Sequence, residues 1–341
     1  MKVAFTLCSN NYFAQALILG QSFLLHNPDY EFYVGLIDHK SDQINYEQFN
    51  IKVLPIAEIE PIILELAQKY NIVELNTAVK PHYFLHFIEK MGAKSILYFD
   101  PDIYVYKKLQ ALEMLLEVDD ILLTPHILKP IPIDEKTPFE NDFLNYGLYN
   151  LGFIALKTSE NTIKMLNWWK DRTYQFGFHN LAKGFFVDQL WINLVPILFQ
   201  KCKIINHPGY NMGPWNLHER FLTRASNNYC VNVDYELYFY HFSNFNPANK
   251  TNIHTVFNRY NFVNRPDLVN IYSEYSKLLT EFNFSELKQI PCFYMVWKQN
   301  VLLVKQKLAY SELPLKNKIL KKIKKNIPDR LKELILNSIK S

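Results

Sequence analysis

An α/β fold with a mostly parallel central sheet is what this sequence predicts, and three observations predict it. Short apolar runs of strand length alternate with segments of helical periodicity through the first hundred residues. The strand-like runs lead into polar residues, as strands do where a sheet edge binds ligands. The chain has 341 residues, 49% hydrophobic and 21% charged, enough for one large domain with an appendage or for two domains.

Taken in order, Lys2–Leu7 reads as a first strand and is followed by the polar loop Ser9-Asn10-Asn11. Tyr12–His26 places Phe13, Leu17, Phe23 and Leu24 at helical spacing. Glu31–Ile37 alternates as a second strand ending at Asp38, and Ile51–Leu54 reads as a third. Ile62–Tyr70 and Pro81–Met91 read as helices, and Ser95–Phe99 as a short strand running into Asp100-Pro101-Asp102. Pro125–Pro138 carries four prolines and reads as a loop or lid. Leu151–Leu156 is strand-like, Thr162–Tyr174 is helical, and Pro208–Asn249 is rich in Asn, Tyr and Phe with weak periodicity. At the sheet edge these elements would gather Asn10, Asn11, Asp38, Asp100 and Asp102.

Charge is concentrated at one end. Residues 313–341 hold nine Lys/Arg and two Asp/Glu, a net +7 against +4 for the chain, so residues 1–312 carry −3. Ile319, Leu320, Ile323 and Ile327 share one helical face there, Pro328 breaks it, and Leu331, Leu334, Ile335 and Ile339 form a second stripe. A basic amphipathic helix of this kind suits an anionic membrane surface, or its stripe can dock on the protein body. An acidic body without aromatic residues among the tail lysines argues against nucleic acid as a partner. The four cysteines, Cys8, Cys202, Cys230 and Cys292, show no metal or disulfide spacing and fit a reducing cytoplasm. No run reaches the roughly 18 apolar residues a spanning helix needs, and the N-terminal run is too short for a signal peptide.

Four segments carry polar groups suited to chemistry. In Asp100-Pro101-Asp102, two carboxylates flank one residue at a strand end, so both can reach one hard cation such as Mn²⁺ or Mg²⁺; Asp-Pro also opens many ordinary turns. Asp188-Gln189 lies inside the apolar helical run Phe185–Asn193, where an acid–amide pair is costly to bury unless hydrogen-bonded. Asp188 can equally be an early acid at a helix N-terminus. His241 sits in the aromatic strand Tyr238–Phe245, where it can complete a metal site or be a satisfied core histidine. Asn211–Arg220, with Trp215, Asn216 and His218 after a Gly-Pro turn, suits a sugar or acceptor wall, or a packed loop.

In this order the segments resemble bacterial nucleotide-sugar glycosyltransferases of the GT-A fold, related to the retaining family 8 enzymes of cell-surface polysaccharide synthesis. The resemblance runs from the Cys8–Tyr12 loop to about Tyr260. It implies that Asp100, Asp102 and His241 hold Mn²⁺ (or Mg²⁺) and that Asp188 and Gln189 lie beside the transferred sugar as the catalytic pair. It implies nucleotide or donor contacts from Asn10, Asn11, Tyr12, Lys80, Asn150 and Gly152, to which the sheet-edge position adds Asp38. Family 8 enzymes usually carry Gly-x-x-Lys-Pro-Trp after the metal histidine; Asn244–Lys250 keeps only the lysine, so Lys250 is the residue expected to meet phosphate. The implied activity is hexosyl transfer from a UDP-sugar to a glycan or lipid-linked acceptor. The corresponding organisation is a catalytic domain over 1–265, with a donor half at about 1–125 and an acceptor half at about 140–265. A helical extension over 266–341 follows. A non-catalytic glycan-binding protein that keeps the fold is the alternative.

Overall fold

The computed structural model describes residues 1–47, 50–225 and 228–309, with the side chains of 225 and 307–309 left aside. The basic tail, expected to be helical and to meet either a membrane surface or the protein body, lies outside the described residues. The strands and helices alternate as the sequence predicts. They begin β1 (Lys2–Cys8), α1 (Phe13–His26), β2 (Glu31–Leu36), β3 (Lys52–Pro55), α2 (Ile63–Lys69), α3 (Ile72–Ala78), α4 (Lys80–Glu89) and β4 (Ser95–Phe99). They continue with β5 (Ile103–Val105), α5 (Gln110–Val118), β6 (Ile121–Pro125), α6 (Glu140–Tyr146), β7 (Tyr149–Lys157) and α7 (Glu160–Phe176). Next come β8 (His179–Asn180), β9 (Phe185–Phe186), α8 (Gln189–Ile192), α9 (Val195–Leu198) and β10 (Cys202–Ile204). A small antiparallel sheet, β11 (Leu222–Ala225), β12 (Asn228–Val231) and β13 (Tyr235–Glu236), precedes β14 (Phe239–His241), and α10 (Val269–Glu281), α11 (Phe284–Leu287) and α12 (Phe293–Ala309) follow.

Seven strands form the central sheet in the order β10-β6-β7-β4-β1-β2-β3. All neighbours pair parallel except β7, which runs antiparallel between β4 and β6. After its first residue β1 is buried throughout, as a strand covered on both faces must be, and its residues are accordingly almost all apolar. Phe5 packs against Phe84, Tyr98 and Phe87 at centroid distances of 4.8, 5.0 and 5.1 Å, which seats α4 on the sheet. Because β7 is reversed, its beginning arrives where β4 and β6 end. Asp100 N–H donates to the Gly152 carbonyl at 2.8 Å across that seam.

Three local features differ from expectation. Helix α3 falls where no helix was read; Asn71 accepts from the Val73 and Glu74 amides while Glu74 accepts from the Asn71 amide, a capping box written in the sequence as Asn-x-x-Glu. The run Phe185–Asn193 is not one helix. Gly184 turns with φ +73°, Phe185 and Phe186 pair with His179 and Asn180, and Val187 adopts φ 41°, a left-handed conformation that strains a β-branched residue. Only Gln189–Ile192 then winds into a helix, with Asp188 at its N-cap. The weakly periodic stretch after Pro208 contains β11–β13, too short and tyrosine-rich to show clean alternation.

The C-terminal helices join the same cores. Ile271, Tyr272, Tyr275 and Leu279 of α10 cluster with Tyr240 of β14 and the following Phe242, and Tyr294, Trp297 and Val301 of α12 cluster with β1, α2 and α4. Helix α12 begins at a clamp. The buried Asp38 carboxylate accepts N–H groups from Asn10, His39 and Phe293 at 3.3, 2.9 and 2.8 Å, while Phe293 stacks on His39 at 3.8 Å.

Candidate active site

Asp100 and Asp102 leave the end of β4 on either side of Pro101, and β5 pairs antiparallel with β14 so that His241 faces Ile103 in register. The strand pairing thus carries His241 to the carboxylates. Its Nε2 lies 2.9 Å from Asp102 Oδ1 and 3.9 Å from Asp100 Oδ2, and one ligand atom from each of the three falls within 4.8 Å of the others. The Tyr98 hydroxyl donates to Asp100 Oδ1 at 2.6 Å. Burial works against a charged His241, yet the two carboxylates prevail and its pKa is raised.

Gly152 is what lets the ring sit there. A Cβ at this position would lie 2.4 Å from His241 Cε1, 2.5 Å from Nδ1 and 2.7 Å from Asn150 Oδ1. Gly152→Ala therefore must displace the histidine or the β7 backbone, and if the Asp100–Asp102–His241 group holds Mn²⁺, its affinity is expected to fall about 10- to 100-fold, as when a metal ligand loses its orienting surroundings. Titration calorimetry of the variant with Mn²⁺ checks this; wild-type affinity would show that His241 is not a ligand.

Two cavities meet at Asp100. The smaller, about 310 Å³, is lined by Ser9, Asn11, Tyr12, Asn76, Tyr98 and Asp102 among others. The larger, about 430 Å³, is lined by Lys80, His126, Asn150, Asp188, Trp215 and His241 among others. Asp100, Val73, Thr77 and Asn244 belong to both.

At the floor of the larger cavity Lys80 Nζ lies 2.8 Å from Asp188 Oδ2, with both side chains about 2% exposed. The ammonium also donates to the Leu151 carbonyl at 3.1 Å and sits 4.2 Å from the Tyr98 ring centre. Burial raises the Asp188 pKa; Lys80 opposes that shift and Asp100 adds to it. Gln189 spans the backbone beside it, accepting from Leu151 N–H at 2.9 Å and donating to the Tyr146 carbonyl at 2.9 Å. Asn150 accepts from Gly152 N–H at 3.0 Å and from Asn211 at 3.0 Å, and its amide nitrogen lies 3.2 Å from His126 Nε2.

Other residues anticipated at the site are used differently. Asn10 is buried and braces the loop, donating to the His39 carbonyl and accepting from the Tyr46 hydroxyl, and Asp38 is the clamp described above; neither lines the two cavities. Asn216 accepts from Gly213 N–H and donates to the His126 and Asn211 carbonyls, so it shapes the turn that presents Trp215. His218 contacts the Lys129 carbonyl at 2.9 Å, outside both cavities. Lys250 lines a separate cavity with Phe245, Tyr272 and Ser276.

Besides His179, two further cavity histidines escape a motif reading. His126 follows β6 as Asp100 follows β4, a polar residue ending an apolar run, and burial pushes its pKa down to about 3, so it is neutral. His254 enters from an irregular stretch with no periodicity to mark it.

No family model matches the chain. It is 24% identical over 252 residues to the uncharacterized protein YfnF of Bacillus subtilis (strain 168), covering 70% of this chain and 80% of that protein. Among solved structures it is similar to the galactosyltransferase LgtC in complex with donor and acceptor sugar analogues, at 13% identity and TM-score 0.45, covering 85% of this chain and 98% of that one. For the glycosyltransferase GlyE of Streptococcus pneumoniae TIGR4 the values are 14% and 0.48, with 86% of this chain and 65% of that one covered. For mouse xyloside xylosyltransferase 1 they are 10% and 0.42, with 71% and 97% covered.

Proposed function

We propose that the chain is a metal-dependent glycosyltransferase that takes a nucleotide-diphosphate sugar, with a UDP-hexose favoured, and passes the sugar to a glycan or lipid-linked saccharide in cell-surface polysaccharide synthesis. The observation that carries this reading is the placement of Asp100, Asp102 and His241 at the seam between two cavities on the carboxyl edge of the sheet. Two hard carboxylates and one imidazole suit Mn²⁺ or Mg²⁺. When bound, such a cation would neutralise charge on the departing diphosphate. The smaller cavity would take the nucleoside against Asn11 and Tyr12, and the larger would take the sugar over Lys80, Asp188 and Gln189.

Asp188 is tied to Lys80 and so is poorly placed to serve as a free general base. That supports attack from the leaving-group side, with retention, over inversion. In this role Asp188 and Lys80 bind and orient sugar hydroxyls, and Gln189 holds Tyr146 and Leu151 at the cavity wall. Among the described residues no helix is long and apolar enough to cross a membrane. Residence in the cytoplasm, with the basic tail on the inner face of the cell membrane, belongs to the same proposal.

The test is a thermal-shift panel of UDP, GDP, CDP and ADP, each with and without Mn²⁺. A ligand at about 100 times its dissociation constant adds roughly 2.7 kcal/mol, a readable shift. Stabilisation by one diphosphate only in the presence of Mn²⁺ is expected. No shift with any of the four would favour a non-catalytic glycan-binding role.

A further inference from the structure

The stretch after β14, expected to bring Lys250 to the donor, brings His254 to the larger cavity instead. His254 is 6% exposed and its ring stacks on Phe257 at a centroid distance of 4.2 Å. Its Nδ1 accepts two backbone N–H groups, from Val256 at 3.0 Å and Phe257 at 2.8 Å. A ring nitrogen that accepts hydrogen bonds carries no proton, so the neutral imidazole bears its proton on Nε2. Burial and the neighbouring His241 push the His254 pKa down to about 4, in keeping with that neutral form. With Nδ1 turned to the backbone, the edge left for the cavity carries Nε2–H, which has no hydrogen-bond partner among the described residues.

We propose that His254 is a donor-binding residue whose Nε2–H hydrogen-bonds an oxygen of the terminal phosphate of the nucleoside diphosphate held at Asp100, Asp102 and His241. The inference rests on the donor reading above. His254 lines the sugar-side cavity and is absent from the nucleoside-side one, which selects the phosphate nearer the sugar. The free edge offers a donor and no acceptor, which matches an anionic oxygen. A neutral donor also adds no positive charge beside a divalent cation, where an ammonium would be repelled. The backbone fixes the tautomer before ligand arrives, so orienting the proton costs nothing on binding.

Titration calorimetry of the full chain with Mn²⁺ tests the proposal, using whichever of UDP, GDP, CDP or ADP stabilises the wild type and its matching monophosphate. His254→Asn keeps an oxygen able to accept the Val256 and Phe257 amides but removes the distal N–H. It is expected to melt like the wild type, to lose about tenfold or more in diphosphate affinity, and to bind the monophosphate unchanged. His254→Gln, whose amide N–H reaches toward the Nε2 position, is expected to recover part of that affinity. Wild-type diphosphate affinity in His254→Asn overturns the assignment. So does an equal loss for both nucleotides with a lowered melting temperature, which would mark a structural role. A wild type that binds none of the four diphosphates overturns the donor reading itself and is thereby told apart from a failure of His254 alone.

Discussion

Asp102→Asn is expected to fold normally and to lose about 10²–10³-fold of its Mn²⁺-dependent donor turnover, the scale seen when one group stabilising transition-state charge is removed. Asparagine matches the shape of aspartate and leaves an oxygen to accept from His241, now 2.9 Å from Asp102 Oδ1. The Asp102 carbonyl, which accepts from Phe242 N–H at 2.9 Å, is untouched, so the β5–β14 pairing persists. What disappears is one of the two negative charges that make the group a site for a hard cation. Donor hydrolysis measured across a Mn²⁺ series, beside a urea melt, separates loss of metal function from loss of fold. Full turnover in a folded variant would remove the metal assignment.

The largest stability effect is expected at Lys80. The Lys80–Asp188 pair is buried on both sides, so Lys80→Ala leaves a carboxylate without its cation and is expected to cost about 3–5 kcal/mol in equilibrium urea unfolding. The sign of its pH dependence follows from Asp188. Burial already raises that carboxyl above its ordinary value against the pull of Lys80. A group with a raised folded-state pKa binds more protons folded than unfolded, so its contribution to stability falls as pH rises through that pKa. Without Lys80 the pKa rises further. The deficit of Lys80→Ala is then largest at neutral pH and narrows in acid, a difference that urea midpoints at about pH 5 and about pH 7.5 read directly. Pairing Lys80→Met with Asp188→Leu is expected to restore most of the loss, since an apolar pair of similar volume replaces a buried ion pair at little cost.

Much of the fold was legible because its strands are apolar runs cut off by polar residues. Ser95–Phe99 was read at its observed bounds, and the order of strand and helix through Phe99 lacked only α3. Asp100, Asp102 and His241 stood out in sequence by residue type and by resemblance, since an Asp-Pro turn and a core histidine use the same residues, and it is the β5–β14 pairing that brings the three together. What sequence does not carry is how buried polar groups share partners. Asn10 and Asp38 looked like nucleoside contacts by position, but their side chains satisfy backbone groups brought from elsewhere. Gln189 likewise spends its amide on two backbone positions. The Lys80–Asp188 pair joins the first turn of one helix to the N-cap of another, and no local pattern announces such a meeting. His254 was unreadable because an irregular segment has no period to say which side chains point inward.

The clamp at Asp38 imposes an order of events on synthesis. Its third N–H comes from Phe293, 255 residues further along the chain, while its first comes from Asn10 in the loop that borders the smaller cavity. A nascent chain can pair β1 with β2 early, but the loop after β1 lacks its final tether until residue 293 has left the ribosome. Contacts of such long sequence separation form late and slowly. The Phe293 contact is therefore among the last to form, and a chain released short of α12 would hold the loop after β1 without it, through the bonds of Asn10 to Asp38, His39 and Tyr46.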